Sequence, residues 1–387
     1  MTTAGPRPGS AGGERAVGDY PPIVVLFGGP SAEHDVSIVS GTAIAEALRA
    51  DGFGVQPVLI DLDGTWWWLP PDHARGGRAP AAYDDGATLA VAGPFSVGQA
   101  LDRLAATDPA PVVFIALHGP YGEDGVVQGL LESIDVAYTG AGVAASALGM
   151  DKALFKRVVR GLGLPVADWR EITSTRWASD RAGVLAELEA FATANGDARL
   201  MIKPARLGSS IGMAIAHVAA ERGPALDEAL RFDTLALAER YLPHARELEV
   251  AVLGNAGALE EYGPGEVISG REFYDYTAKY TPGLSETSAH AELEPGQRAL
   301  ARKLARDAYR AIGAEGFARV DFLASGGRLF VSEINTIPGF TPISLFPTMP
   351  AEGGYTFAGV CRRVVDLALE RHAGRVSRRL RVEDLPR

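Results

Sequence analysis

Three side chains with oxygen donors, Asp321, Glu333 and Asn335, fall within RVDFLASGGRLFVSEINTIPG (319–339). A Ser-Gly-Gly turn joins two strand-like runs there, and alternation along a strand puts Glu333 and Asn335 on one face. Hard cations such as Mg²⁺ take oxygen ligands from one or two carboxylates plus substrate phosphates, and this hairpin offers that set. A strand pair with scattered surface acids is the structural alternative. A second candidate is KPARLGSSIGM (203–213), where Lys203 ends a strand and a Gly-Ser-Ser loop follows. Small residues let backbone N–H groups approach phosphate oxygens, and the lysine adds a point charge. The lysine precedes the loop, so this is not a Walker motif. An ordinary hairpin loop would read the same way.

Two further stretches sit at strand ends. LFGGPSAEHDVSIVSG (26–41) is a strand, a Gly-Gly turn and a helix start that contains Glu33. A helix N-terminus favours anions, whereas a carboxylate at Glu33 favours an ammonium partner. Ser31 or Asp35 could instead cap the helix. A dinucleotide fold is not supported, because the G-x-G-x-x-G spacing is missing. ALHGPYGEDG (116–125) ends another strand with His118, followed by a turn holding Glu123 and Asp124. Open α/β sheets place ligands at such strand ends. A lone histidine is commonly structural, and for His118 positioning a substrate carboxylate fits better than direct acid–base work.

The elements that carry these residues alternate short β-branched runs with helical stretches, the mark of α/β architecture. IVVLF (23–27), GVQPVLIDL (54–62) and PVVFIAL (111–117) are strands, and Val36 to Ala50 has helical apolar spacing. Residues 21–139 therefore form one open-sheet unit, in which Trp66, Trp67 and Trp68 are expected on a packed edge strand. A second unit, 140–242, begins with the helix-like MDKALFKRVVRGLG (150–163) and contains strands LMIKP (200–204) and LALAERYL (235–242). A third, 243–372, holds LEVAVLGN (248–255), a helix near 296–312 and the hairpin. Residues 1–20 lack apolar periodicity and are expected to be a disordered leader, and 373–387 a charged tail.

The chain has 387 residues and a formal net charge of −11, which repels nucleic-acid phosphates and anionic lipid at long range. Neither is an expected partner. Cys361 is the single cysteine, so no internal disulfide framework exists, and no apolar run approaches the roughly 20 residues that span a bilayer. A cytoplasmic protein is expected.

Five motifs occur together and in order: GGPSAEHDVSIVSG, LHGPYGEDGVVQGLLE, KPARLGSSIGM, EFYDYTAKY and RVDFL with FVSEINTIPGFTPISLFP. In this combination the chain resembles the D-alanine–D-alanine ligases of the ATP-grasp group, over about residues 21 to 372. The resemblance implies an α/β fold of three domains in the ATP-grasp architecture, the N-terminal one an open parallel-sheet domain. It implies ATP and two Mg²⁺ ions, with Mn²⁺ as a substitute, D-alanine as both substrates, and a homodimer. ATP would lie between the central and C-terminal domains, its phosphates held by Lys152, Lys203 and Lys279. Glu239, Arg240, Tyr241 and Leu242 match the adenine hinge. Glu247 matches the acid on the ribose, with Glu249 as the alternative. Asp321, Glu333 and Asn335 match the metal ligands.

For the substrates, the resemblance assigns Glu33 to the first ammonium, in a network with Ser209 and Tyr280, and places His118 near the first carboxylate. Arg319 and the backbone N–H of Gly339 match oxyanion donors. Ser344 and the backbone at Leu345 match the clamp on the second carboxylate. The segment from Tyr274 to Thr287 would close as a lid, in which Thr277 stands where several relatives carry an acid. The implied reaction activates one D-alanine as an acyl phosphate that the second D-alanine attacks, for peptidoglycan precursors. Relatives making D-alanyl-D-lactate lack a tyrosine at the position of Tyr280, which argues against that product. D-alanyl-D-serine, or a dipeptide of secondary metabolism, remains a close variant. A catalytically silent regulator on the same fold is disfavoured by the intact Lys203, Arg319, Glu333 and Asn335.

Overall fold

The structure is a computed structural model that describes residues 15–255, 257–269 and 285–376. Its first unit comprises β1 (Ile23–Gly28), α1 (His34–Ala50), β2 (Val55–Ile60), β3 (Trp66–Trp68), β4 (Ala92–Phe95), α2 (Val97–Ala105), β5 (Val112–Ile115), α3 (Val126–Ser133) and β6 (Ala137–Tyr138). The sheet runs β4-β3-β2-β1-β5-β6. β1 pairs in parallel with β2 and β5, and β5 with β6, whereas β3 is antiparallel to both β2 and β4. Helices cover both faces of the parallel part, which is why every residue of β1 is buried and apolar or glycine.

The tryptophan strand is not the sheet edge. β4 pairs outside it, and Trp66, Trp67 and Trp68 are all buried. Trp67 Nε1 donates to Asp61 at 2.7 Å from one face, while Trp66 and Trp68 approach each other on the opposite face. The missed neighbour reads AGPF, a sequence poor in strand formers.

The central part contributes α4 (Val143–Met150), α5 (Lys152–Gly161), β7 (Trp169–Thr173), α6 (Ser174–Ser179), α7 (Arg181–Asn195), β8 (Leu200–Pro204), β9 (Ala214–Ala216), α8 (Ala219–Phe232) and β10 (Leu235–Arg240). Its sheet order is β7-β10-β8-β9, antiparallel throughout. Alternation along β10 sends Ala236 and Ala238 into a core with Val184, Leu188 and Leu226. Leu237 points the other way, against Ala153 of α5.

The last part has β11 (Arg246–Leu253), β12 (Glu260–Ser269), β13 (Ser285–Ser288), α9 (Pro295–Ala311), β14 (Phe317–Ser325), β15 (Arg328–Asn335), α10 (Leu345–Thr348) and α11 (Phe357–Val376). Its sheet, β13-β12-β11-β14-β15, is antiparallel. Leu248, Val250, Val320 and Val331 pack with α9, and also with Ala145, Phe155 and Val159 of α4 and α5. These two helices, grouped by sequence with the central unit, thus help build the C-terminal core.

The chain closes on itself. Val360, Val364, Val365 and Leu367 of α11 join the core of the first sheet with Ile23, Val25 and Phe27. Ordered packing starts earlier than the leader boundary at residue 20 suggested, with a 3-10 turn at Val17–Asp19 and the Tyr20 hydroxyl donating to Asp366 at 2.5 Å. The Tyr20 ring meets Phe53 edge-on at 5.0 Å. At the other end α11 runs through Val376 and so takes in the first four residues of the expected tail.

Candidate active site

A cleft of about 590 Å³ lies where the central and C-terminal sheets face each other. One wall is the β14–β15 hairpin, in which Asp321 pairs with Glu333 and Arg319 with Asn335. The Arg319 guanidinium makes a two-pronged bond to Asp321, Nε to Oδ1 at 2.7 Å and Nη2 to Oδ2 at 2.6 Å. Asn335 Nδ2 donates to the same Asp321 Oδ2 at 2.9 Å. Glu249 on the neighbouring strand stands 3.3 Å from Arg319 Nε. Burial alone would lower the arginine's pKa, but Asp321 and Glu249 outweigh it and hold the guanidinium charged.

The opposite wall supplies cations. Lys152, at the start of α5, places Nζ 2.9 Å from Glu333 Oε2 and donates to the Leu207 carbonyl at 3.0 Å. Burial opposes its charge, and Glu333 more than compensates, raising its pKa. Lys203, next to last in β8, reaches Glu239 on the adjacent β10 at 3.0 Å. Glu239 is 2% exposed, and Lys156 of α5 meets the same oxygen, Oε1, also at 3.0 Å. Burial raises the pKa of this carboxylate, yet the two lysines win and lower it, so it stays ionised. Arg240, Tyr241, Leu242 and Glu247 continue along the cleft wall, with Glu249 beside them.

The loop after β8 connects this cleft to the first unit. Ser209 and Ser210 adopt φ values of 52° and 56°, the left-handed region that turns the chain sharply. Ser209 Oγ donates to Glu33 Oε1 across this turn, and Ser209 also lines the cleft. Glu33 is 8% exposed, and its other oxygen, Oε2, is buried without a hydrogen-bond partner among the described residues. A Cβ added at Gly119 would lie 2.4 Å from Oε2 and one at Gly208 2.8 Å, so both glycines make room for this carboxylate. A buried acceptor left open in a glycine-walled niche is suited to a donor from outside the chain.

His118 lies beside it, and both its nitrogens are engaged. The Ile337 carbonyl, 2.8 Å from Nδ1, can only accept, so Nδ1 carries the hydrogen. Nε2 then accepts from Ser40 Oγ at 2.9 Å. Burial lowers the His118 pKa against the pull of Glu33, which keeps the ring neutral. Burial, reinforced by Glu33, pushes Glu123 the other way, well above the usual carboxylate range, and Glu123 Oε1 accepts from the Ile337 N–H at 3.0 Å. Ser40 also receives the Phe340 N–H at 3.4 Å. The first unit therefore grips the 337–340 turn at three points. Gly339 within it lies close to Ser344, whose Oγ accepts from the Thr341 N–H at 3.1 Å and caps the turn before Leu345.

Among the sequence-predicted residues, the cleft gathers Lys152, Lys203, Ser209, the 239–242 hinge, Glu247, Arg319, Asp321 and Glu333. Asn335 stays on the hairpin behind Asp321, and Glu33, His118, Gly339, Ser344 and Leu345 belong to the adjoining niche and turn rather than to the cleft lining. Lys279 and Tyr280, with Thr277 and the lid up to residue 284, lie outside the described residues. Sequence reasoning singled out neither Lys156 nor Ser40, and gave Glu123 no role. For Lys156 a signal existed, since it follows Lys152 by four positions and so shares its helix face.

The chain as a whole resembles solved structures. One is the D-alanine–D-alanine ligase of Coxiella burnetii, with a TM-score of 0.74 and 30% identity over 92% of this chain and 97% of that one. Another is the VanG D-Ala:D-Ser ligase of Enterococcus faecalis, with a TM-score of 0.76 and 28% identity over 90% and 100%. Fold and cleft together define an ATP-grasp enzyme of the ligase type. The family model of the D-ala D-ala ligase N-terminus matches residues 22–141, and that of the C-terminus residues 158–366. The chain belongs to the D-alanine–D-alanine ligase family. It is 39% identical over 366 residues to such a ligase from Chlorobaculum tepidum, covering 91% of this chain and 97% of the relative. The figure is again 39%, over 379 residues, for one from Kineococcus radiotolerans, at 92% and 98% coverage.

Proposed function

We propose that this enzyme joins two D-alanines into D-alanyl-D-alanine, with ATP cleaved to ADP and phosphate, to supply peptidoglycan precursors. The observation that carries this reading is the buried Glu33 Oε2, unpartnered among the described residues, beside a cleft of about 590 Å³, the two joined by Ser209. An amino-acid ammonium completes that carboxylate, and the substrate's own carboxylate then extends toward the cleft.

Mg²⁺ fits the hairpin, because Asp321, Glu333 and Asn335 offer oxygen donors at neighbouring registers. Two carboxylates and an amide oxygen leave an octahedral ion room for phosphate oxygens and water. Bound there, the ion would neutralise charge on the transferring phosphoryl group. Lys152 and Lys203 would act with it on the phosphates, and Glu239 to Leu242 with Glu247 would hold the nucleoside.

The first D-alanine carboxylate attacks the γ-phosphorus, forming an acyl phosphate and releasing ADP. The second D-alanine, its ammonium having lost a proton, attacks the acyl carbon. A C–N bond forms, the C–O bond to phosphate breaks, and inorganic phosphate leaves. Arg319 and the Gly339 N–H serve as preorganised donors to the oxyanion. Ser344 and the Leu345 N–H hold the second carboxylate. His118, neutral and with both nitrogens committed, acts by fixing the turn that carries Gly339. The lid segment with Lys279 and Tyr280 would exclude water from the acyl phosphate. A homodimer and a cytoplasmic location complete the proposal.

The test is phosphate release with ATP, Mg²⁺ and each D-amino acid in turn, with products identified by mass. D-alanine should give one dipeptide per phosphate. Release without dipeptide, or a dipeptide only with another acceptor, contradicts the reading.

A further inference from the structure

Lys156 has no place in the chemistry above, yet it is 1% exposed and its ammonium is buried among charges. It sits one helical turn after Lys152 on α5, a helix wedged between two sheets. Phe155 and Val159 pack into the C-terminal core, while Ala153 meets Leu237 and Ala205 on the central sheet. β10 alternation puts Glu239 on the same face as Leu237, and Lys203 is the cross-strand partner of Leu237. Lys203 and Glu239 both line the cleft, whereas Lys156 does not. Glu239 Oε1 is thus held from the cleft side by Lys203 and from behind by Lys156, each at 3.0 Å. The indole of Trp169, 5.7 Å from Lys156 Nζ, closes the rear of this arrangement.

We infer that Lys156 is a positioning residue that keeps Glu239 charge-compensated when Lys203 turns from it to a nucleotide phosphate. A buried carboxylate with one counter-ion cannot release that ion without being left unpaired, and such a loss is strongly unfavourable. With two counter-ions it can release one. Lys156, out of reach of the cleft, is the one that stays. The cluster as it stands carries one excess positive charge, which suits it to receive an anion. Without Lys156, Glu239 would compete with phosphate for Lys203, and binding of phosphorylated nucleotides alone would suffer.

This inference rests on the proposal that the cleft binds ATP, and the experiment separates the two. Binding of ATP, ADP and adenosine is measured by equilibrium titration on the full chain, for wild type, Lys156→Met, Glu239→Gln and the double variant. Lys156→Gln, which keeps a donor toward Oε1 but not the charge, is made alongside in case the Met variant does not fold. Removing the Lys156 charge should raise the Kd for ATP and ADP on the order of tenfold, while that for adenosine, which needs no lysine to move, changes by less than about twofold. Made on the Glu239→Gln background, where no carboxylate needs compensating, the same change should leave ATP affinity unaltered. A merely structural lysine would weaken adenosine and ATP alike. Equal losses for both ligands overturn the inference, as do unchanged ATP affinity in the Lys156 variants and the same loss on the Glu239→Gln background. Wild type that fails to bind ATP overturns the nucleotide reading together with it.

Discussion

Glu333 shows how charge is rationed within the cleft. Its carboxylate, partly exposed, pairs with the buried Lys152 and is a register partner of Asp321, so a neutral isostere changes charge with little change of volume. Glu333→Gln is expected to leave the unfolding midpoint near wild type and to lower kcat on the order of a hundredfold. Steady-state phosphate release at saturating Mg²⁺ checks this; near-normal turnover would remove Glu333 from the ligand set. Ser344 makes a more selective case, since its hydroxyl bonds Thr341 and stands beside Gly339. Ser344→Ala should raise KM for the second D-alanine by an amount on the order of 1–3 kcal/mol and leave the first nearly unchanged. Equal effects on the two sites would argue against its place on the second carboxylate.

The loop after β8 carries its function through the absence of a side chain. Gly208 presents its Cα to the Glu33 carboxylate, and an added methyl would come within 2.8 Å of Oε2. The obstacle is the end of a flexible side chain, so folding should survive while Glu33 is pushed from its niche. Gly208→Ala is predicted to raise KM for the first substrate roughly tenfold to a hundredfold with a melting temperature close to wild type. Kinetics at fixed second-substrate occupancy would test it, and an unchanged first KM would mean that Glu33 does not hold the ammonium. α5 shows another kind of economy. Two lysines at i and i+4 send their charges to Glu333 and Glu239, on different sheets, from one helix.

For the molecule as a whole, Phe340 is a point of convergence. Its ring lies 5.5 to 5.8 Å from those of Phe114, Phe317, Phe346 and Phe357, which come from the first sheet, the C-terminal sheet, α10 and α11. It also follows Gly339 directly. Phe340→Ala should cost about 3–5 kcal/mol of stability. Activity should fall even below the denaturation midpoint, because the turn gripped by His118, Glu123 and Ser40 loses its packing underneath. Urea unfolding followed by fluorescence, with turnover measured at each concentration, would show the two losses apart. A variant with native-like stability would mean that the units do not depend on this cluster.

Much of this protein was legible in its residues. The buried strand IVVLF, the hairpin that pairs Asp321 with Glu333, and the lysine ending LMIKP are local features, fixed by alternation and by short turns. Their strands stand where periodicity put them, with no end displaced by more than one residue. What local pattern could not fix is which surface an element packs against. The apolar face of α11 is equally compatible with either neighbouring sheet, and only closure of the chain sends Val360 and Val364 to the first. The same holds for α4 and α5, whose small and apolar faces meet the C-terminal core across the expected unit boundary. The tryptophan strand lost its edge position to AGPF, a segment recruited by pairing rather than by propensity. Likewise, Lys156 in MDKALFKRVVRGLG has no visible partner in sequence. Its carboxylate lies more than eighty positions away, and burial, which makes their pairing matter, exists only once the sheets have closed around them.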